Sequence, residues 1–301
     1  MNKPKTAAGY PEGQVELIKS TCLTIASFLG DMMDDLVIVG GLVPSLIIDQ
    51  SDLQAGIEWH VGTLDLDIGM SLAILDEKHY QEITERFRGA NFEPDTNEKG
   101  NITPQRWRRK DLQNIKVDFL IPPITVTDKG GKIKHLEHDF AALIAPGLET
   151  AFKDVLPITI SGVTLNGEKL EREIQVCGPG AYVLLKALAF RFRGENKDAY
   201  DLYYVIRNFG NDINEVIERF VALPESESKA LAIETLKNDF SEGNSTGPRR
   251  ACLFLRGEDI RDEELENEIA GFVISFIDSV ITLTGTNQTY PPSILGSSIA
   301  S

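Results

Sequence analysis

The sequence predicts an α+β protein in which a mixed β-sheet lobe is followed by a helical lobe. Three observations carry that expectation. Short β-branched or alternating runs bounded by glycine and proline, "LVIVGG" (36–41), "TLDLDIGMSL" (63–72) and "NIKVDFLIPP" (114–123), all precede residue 178. From "GPGAY" (178–182) onward, apolar residues recur at helical spacing. With 301 residues, 42% of them hydrophobic and 25% charged, the chain can bury one large core or two smaller ones. The expected division is an α/β lobe over 1–178, a helical lobe over 179–285, and a tail over 286–301 whose Gly, Pro, Ser and Thr content suits a mobile end.

The elements follow in order. In "PEGQVELIKSTCLTIASFLG" (11–30), Val15, Ile18, Cys22, Ile25, Phe28 and Leu29 are spaced for one face of a helix that stops at a glycine. "LVIVGG" reads as a strand and tight turn, with a helix restarting over 42–49. The acidic strand at 63–72 comes next, followed by a helix over 76–91 closed by Gly89, loop-like residues 94–104, the basic run "RWRRK" (106–110) and the strand 114–123. Residues 154–167 and 172–179 read as strand or hairpin pieces. Helices are predicted at 181–193, 197–209, 213–223, 227–240 and about 259–283, with a loop at 241–250.

Charge and cysteine content narrow the function classes. The balance of 30 basic to 46 acidic residues, net −16, argues against a general nucleic-acid binder, so any such substrate needs a local basic patch. Cys22, Cys177 and Cys252 are odd in number, distant and set among apolar neighbours, as suits buried thiols in a reducing compartment. The sequence contains no charged-then-apolar leader with a small-residue cleavage site. Its longest apolar run, "FVISFIDSVITL", is interrupted by Asp278. A cytoplasmic location with no membrane partner is expected.

The chemistry concentrates in "HVGTLDLDIGM" (60–70). Side chains alternate along a strand, so Asp65 and Asp67 point the same way about 7 Å apart while Leu64, Leu66 and Ile68 face the core. Paired carboxylates repel unless a cation lies between them, and magnesium suits an all-oxygen site that keeps positions open for phosphate. Two such ions would serve the attacking and leaving oxygens of a phosphoryl-type displacement. Asp118, a lone acid in "IKVDFLI", is the candidate third ligand from an adjacent strand. Gly40 and Gly41 between a strand and a helix would let backbone N–H groups approach a triphosphate, with Ser45 assisting. The bland alternatives are solvent-facing aspartates of an amphipathic strand and a plain tight turn.

The order "GG…S", then "T-x-D-x-D", then a lone strand aspartate resembles the nucleotidyltransferase fold of the DNA polymerase β superfamily. "LLKALAFRFRGENKDAYDLYYVI" (184–206) resembles the K-x-x-A…R…K-D-x-x-D-L segment of the AbiEii-type abortive-infection toxins. The resemblance covers about residues 36–206. It implies a nucleotidyltransferase using NTP and two Mg2+ ions, with metal binding by Asp65, Asp67 and Asp118 and phosphate contact at Gly40, Gly41 and Ser45. It further implies a family threonine at Thr63 and nucleotide or catalytic roles for Lys186, Asp198 and Asp201. Independently, Lys186 and Arg193 fall at i and i+7 on one helix, sharing a face able to meet a triphosphate, and Asp198 and Asp201 fall at i and i+3 on the next. The chain departs from the family in carrying Val61, beside His60, where many members have a basic residue.

The expected activity is transfer of an NMP from an NTP to an acceptor, tRNA among the candidates, by the toxin of a toxin–antitoxin or abortive-infection system with an antitoxin protein as partner. Two rivals stand beside it: a catalytically silent relative that binds a partner, and an enzyme modifying a small molecule or protein. "RWRRK" is the candidate acceptor-strand contact, with Trp107 as a stacking ring, against the alternative of a solvated loop or strand edge. Tyr200, Tyr203 and Tyr204 read as packing residues. His135 and His138 have helical spacing but no further ligands nearby to suggest zinc.

Overall fold

One continuous apolar core sets the architecture, running from an aromatic cluster beneath the β-sheet to helices gathered around a single central helix. The computed structural model describes residues 3–53, 57–71, 77–112, 114–138, 140–257 and 260–285. The tail read over 286–301 lies outside them. Helix α1 (Gln14–Leu29) leads through a 3₁₀ turn into β1 (Leu36–Val39). A 3₁₀ turn at Gly40–Leu42 and the one-turn helix α2 (Pro44–Ile47) precede β2 (Asp65–Met70) and α3 (Glu77–Gly89). Strands β3 (Phe92–Thr96), β4 (Ile102–Arg109), β5 (Lys116–Ile121), β6 (Ile133–His135), β7 (Ala141–Ile144), β8 (Val155–Val163) and β9 (Lys169–Cys177) complete the first lobe.

The strands form one mixed sheet in the order β3-β4-β5-β2-β1-β9-β8, with β7 joining β5 beyond the end of β4 and β6 pairing β7. β2 lies at its centre, antiparallel to β1 and parallel to β5. Alternation decides which face each residue takes. Leu66, Ile68, Val117, Phe119 and Ile121 are buried against the aromatic cluster of Phe87, Phe92, Trp107 and Phe140, leaving Asp67 and Asp118 on the opposite face.

The helical lobe runs from α4 (Pro179–Arg193) and α5 (Asn196–Asn208) through α6 (Ile213–Val221), α7 (Glu227–Asp239) and α8 (Thr246–Arg256) to α9 (Glu263–Thr284). α4 is its axis, packed against α5, α6 and α7. Among the described residues α9 alone is long and apolar enough to cross a membrane. Its face of Leu265, Ile269, Val273, Phe276 and Val280 is buried against α5 to α8, and Asp278 points outward. The predicted α+β class, a mixed-sheet lobe followed by helices, is the architecture found.

Several local expectations are corrected. Residues 94–104 are loop only over 97–101: β3 and β4 form a hairpin closed at Asn97–Asn101, and a bulge between Pro94 and Asp95 disguises the alternation. The helix read over 42–49 is a single turn, because Pro44 takes its first position and the chain is extended again at Ile48. The loop over 241–250 already contains the start of α8 at Thr246, with Pro248 tolerated in its first turn. His135 lies in β6, so its helical spacing to His138 is not realised. All three cysteines are free and buried.

Candidate active site

The sheet register builds the acidic site. Asp67 of β2 stands directly beside Asp118 of β5, and Asp65 lies two residues back along β2 on the same face. Carboxylate oxygens of the three lie within 4.8 Å of one another. Burial together with the neighbouring Asp65 and Asp118 charges pushes the Asp67 carboxyl up to about 7. No side-chain hydrogen bond reaches that carboxylate among the described residues. Burial works the same way on Asp65, but the Lys3 ammonium, Arg106 and the Thr63 hydroxyl outweigh it and hold Asp65 below the usual carboxylate range.

The glycine turn closes around this group. Gly40 has φ +71°, and a Cβ there would sit 1.9 Å from Asp67 Oδ2. A Cβ at Gly41 would come within 2.8 Å of the Thr63 side chain. Thr63 Oγ1 donates to Asp65 Oδ1 at 3.0 Å, fixing that carboxylate from behind. Gly40→Ala is therefore expected to cost roughly 1–3 kcal/mol in backbone strain alone and to displace Asp67. Thermal unfolding checks this: a lower Tm than wild type is expected.

Two cations already face the acids. Lys3 Nζ lies 2.8 Å from Asp65 Oδ2. Arg106 of β4 donates to both Asp118 oxygens, Nε at 2.6 Å from Oδ1, and its tip lies 3.8 Å from Asp65. Sequence reading found neither role. Arg106 was in view only as part of a basic run, and Lys3 is 62 residues from its partner.

"RWRRK" is not an exposed basic strip. Trp107 is fully buried in the aromatic core, because alternation along β4 turns it inward. Arg108 pairs with Glu93 and Asp95, and Arg109 with Asp111 and Asn166. A base-stacking role for Trp107 is excluded by that burial.

On the helical side, Lys186, Asp198, Asp201 and Arg193 converge in one network. Lys186 Nζ is 3.0 Å from Asp198 and 2.6 Å from Asp201. Arg193 grips Asp198 with two bonds of 2.6 and 2.7 Å, and Lys197 Nζ is 2.6 Å from Asp201. Burial disfavours the charged carboxylates, yet these cations hold Asp198 below and Asp201 well below the usual range. The shared face read for Lys186 and Arg193 thus meets Asp198 first. Arg193, with half its side chain exposed, is the one of the pair that also faces solvent.

His60 joins the two lobes. Its Nε2 lies 2.9 Å from Asp201, Nδ1 accepts from the Gly62 N–H at 3.1 Å, and Ser45 Oγ lies 3.4 Å from Nδ1. Burial lowers the imidazole to about 4, against the pull of Asp201, so the ring is neutral with its proton on Nε2. All three side chains are buried, and the Ser45–His60–Asp201 string acts as a clamp rather than an exposed nucleophile. Tyr200 stacks on His60 and Tyr204 meets its edge, which gives these tyrosines packing roles.

No protein-family model matches this chain, and no curated protein matches it. A solved structure similar to it is an antigenic nucleotidyltransferase-like protein from Paracoccidioides brasiliensis, at 15% identity and a TM-score of 0.38, covering 75% of this chain and 88% of that one.

Proposed function

We propose that this chain is a divalent-metal-dependent nucleotidyltransferase that moves an NMP from an NTP onto an acceptor and releases pyrophosphate. The observation that carries the proposal is the convergence of Asp65, Asp67 and Asp118 from two adjacent strands beside the Gly40–Gly41 turn. The donor set is all carboxylate oxygen, which fits magnesium or manganese rather than zinc. Asp65 and Asp67 would hold two ions and Asp118 one of them. Bound divalent ions supply charge neutralisation at the attacking and leaving oxygens.

The remaining residues position the reactants. The Gly40–Gly41 backbone packs directly against Asp67 and Thr63, and its N–H groups would be the phosphate contacts nearest the acids. Arg193 presents its guanidinium to the triphosphate, while buried Lys186 acts at one remove by fixing Asp198 and Asp201. Thr63 orients Asp65.

On this reading the cellular role is that of a cytoplasmic toxin with an antitoxin partner, and tRNA is the first acceptor to test. A second reading, transfer to a small molecule or protein, is favoured by the net charge of −16 and by the internal pairing of Arg106, Arg108 and Arg109. The test incubates the protein with each labelled NTP, magnesium and total tRNA, with EDTA as control. Magnesium-dependent label on RNA supports the first acceptor, and label on protein or small amines the second. Failure to bind any NTP in the presence of magnesium would leave a partner-binding role instead.

A further inference from the structure

The segment before α1 puts a lysine ammonium on the acidic site. Lys3 Nζ lies 2.8 and 3.2 Å from the two oxygens of Asp65. Arg106 balances Asp118, so the three carboxylates face two protein cations before any metal arrives. The two are held very differently. Arg106 sits on β4 and forks onto Asp118 with two bonds, whereas Lys3 lies on a segment, 3–10, in which no residue is fully buried.

That segment is held at few points. Its 3₁₀ turn, Ala7–Gly9, contains no buried residue and has no side-chain cap. The Lys5 carbonyl accepts a long bond of 3.4 Å from Asn196, and the Tyr10 ring rests edge-on against Phe254 at 5.8 Å with the Lys197 ammonium 5.7 Å above it. Ala7 and Tyr10 pack on the apolar core but both are only partly buried, and such anchoring, with the long bond to Asn196, marks a segment that opens at low free-energy cost.

We propose that Lys3 is a built-in counter-cation of the metal site, and that the strap 3–10 is an autoinhibitory latch which divalent metal must displace from Asp65. The proposal rests on the metal-binding reading above. It makes metal affinity and strap opening reciprocal: whatever releases the strap tightens metal binding, and metal binding releases the strap. Lys3 is half-exposed, so removing its charge does not endanger the fold.

The test is calorimetric titration of Mn2+ into wild type, Lys3→Met, Lys3→Arg and Asp65→Asn, with hydrogen exchange of the 3–10 segment followed in parallel. Lys3→Met is expected to bind Mn2+ about fivefold tighter than wild type, the scale of one partly exposed ion pair. Lys3→Arg, which keeps a cation, should bind no tighter than wild type. Exchange in the strap should rise on adding Mn2+ to wild type and be fast from the outset in Lys3→Met. Unchanged or weaker binding by Lys3→Met, while wild type binds and Asp65→Asn does not, overturns the latch and leaves the metal site standing. No Mn2+ binding by either wild type or Lys3→Met overturns the metal reading and the latch with it.

Discussion

Asp65→Asn/Asp67→Asn is expected to lower NMP transfer by roughly a thousandfold or more, because the loss falls on the charge that stabilises the transition state. The same change should leave the metal-free protein folded, and the Asp67 half of it should stabilise that protein. The Asp67 carboxyl is pushed to about 7 by burial and two acid neighbours, so ionising it in the folded state costs free energy that the unfolded chain does not lose. Moving a carboxyl from 3.8 to about 7 corresponds to about 4 kcal/mol at full ionisation, and relaxation at the open mouth of the site leaves roughly half of that. The sign follows: a raised folded value contributes stability that is present at low pH and is lost as pH rises through about 7. His60 works in the opposite sense, its lowered value adding stability as pH rises from about 4 to its ordinary 6.5. Asp67→Asn isolates the first contribution, because His60 is common to both proteins. The Tm difference between Asp67→Asn and wild type, measured without metal, should be near zero at pH 4 and plateau above pH 7 at about 4 °C or more. A mutant less stable than wild type at pH 8 would show that Asp67 is satisfied in the metal-free protein and would undercut the reading of this triad as a site waiting for cations.

The acidic strand was legible because alternation is a local property. Two aspartates two residues apart must share a face, and the lone Asp118 among Val117 and Phe119 must point away from the core. The helical segment was legible for the same reason, since i and i+3 spacing brings Asp198 and Asp201 together whatever surrounds them. What was not legible depends on pairing between distant strands. Trp107 reads as an exposed ring among basic residues until the β3–β4–β5 register turns it into the aromatic core and Arg106 onto Asp118. Lys3 at Asp65 and His60 at Asp201 are contacts across 62 and 141 residues, with no periodicity to announce them. Residues 94–104 failed for a local reason, a bulge that breaks the alternation on which strand reading depends.

Asp201→Asn is expected to destabilise the protein by about 3–5 kcal/mol, the scale for removing one member of a buried ion network. Asp201 is fully buried and accepts from Lys186, Lys197 and His60 at once. Its loss is unequal among them. Lys186 keeps Asp198 at hydrogen-bond distance, while Lys197 keeps the Tyr10 ring and a weaker attraction to Asp198, and burial already lowers the Lys197 ammonium below its ordinary range. Without Asp201 the charged form of Lys197 is disfavoured further, which makes the pair strongly coupled. Chemical denaturation of Asp201→Asn, Lys197→Met and the double mutant measures this. The double mutant should cost less than the sum of the single changes by more than about 1 kcal/mol. Additive costs, or a loss below 1 kcal/mol for Asp201→Asn, would mean that the network is not a unit. The consequence reaches the site without any contact to substrate. A Cβ at Gly41 would lie 3.4 Å from Lys197 Nζ, and His60 holds Ser45 below the glycine turn, so loosening this network frees the turn that lies against Asp67. Transfer activity should then fall in Asp201→Asn even at temperatures where the protein remains folded.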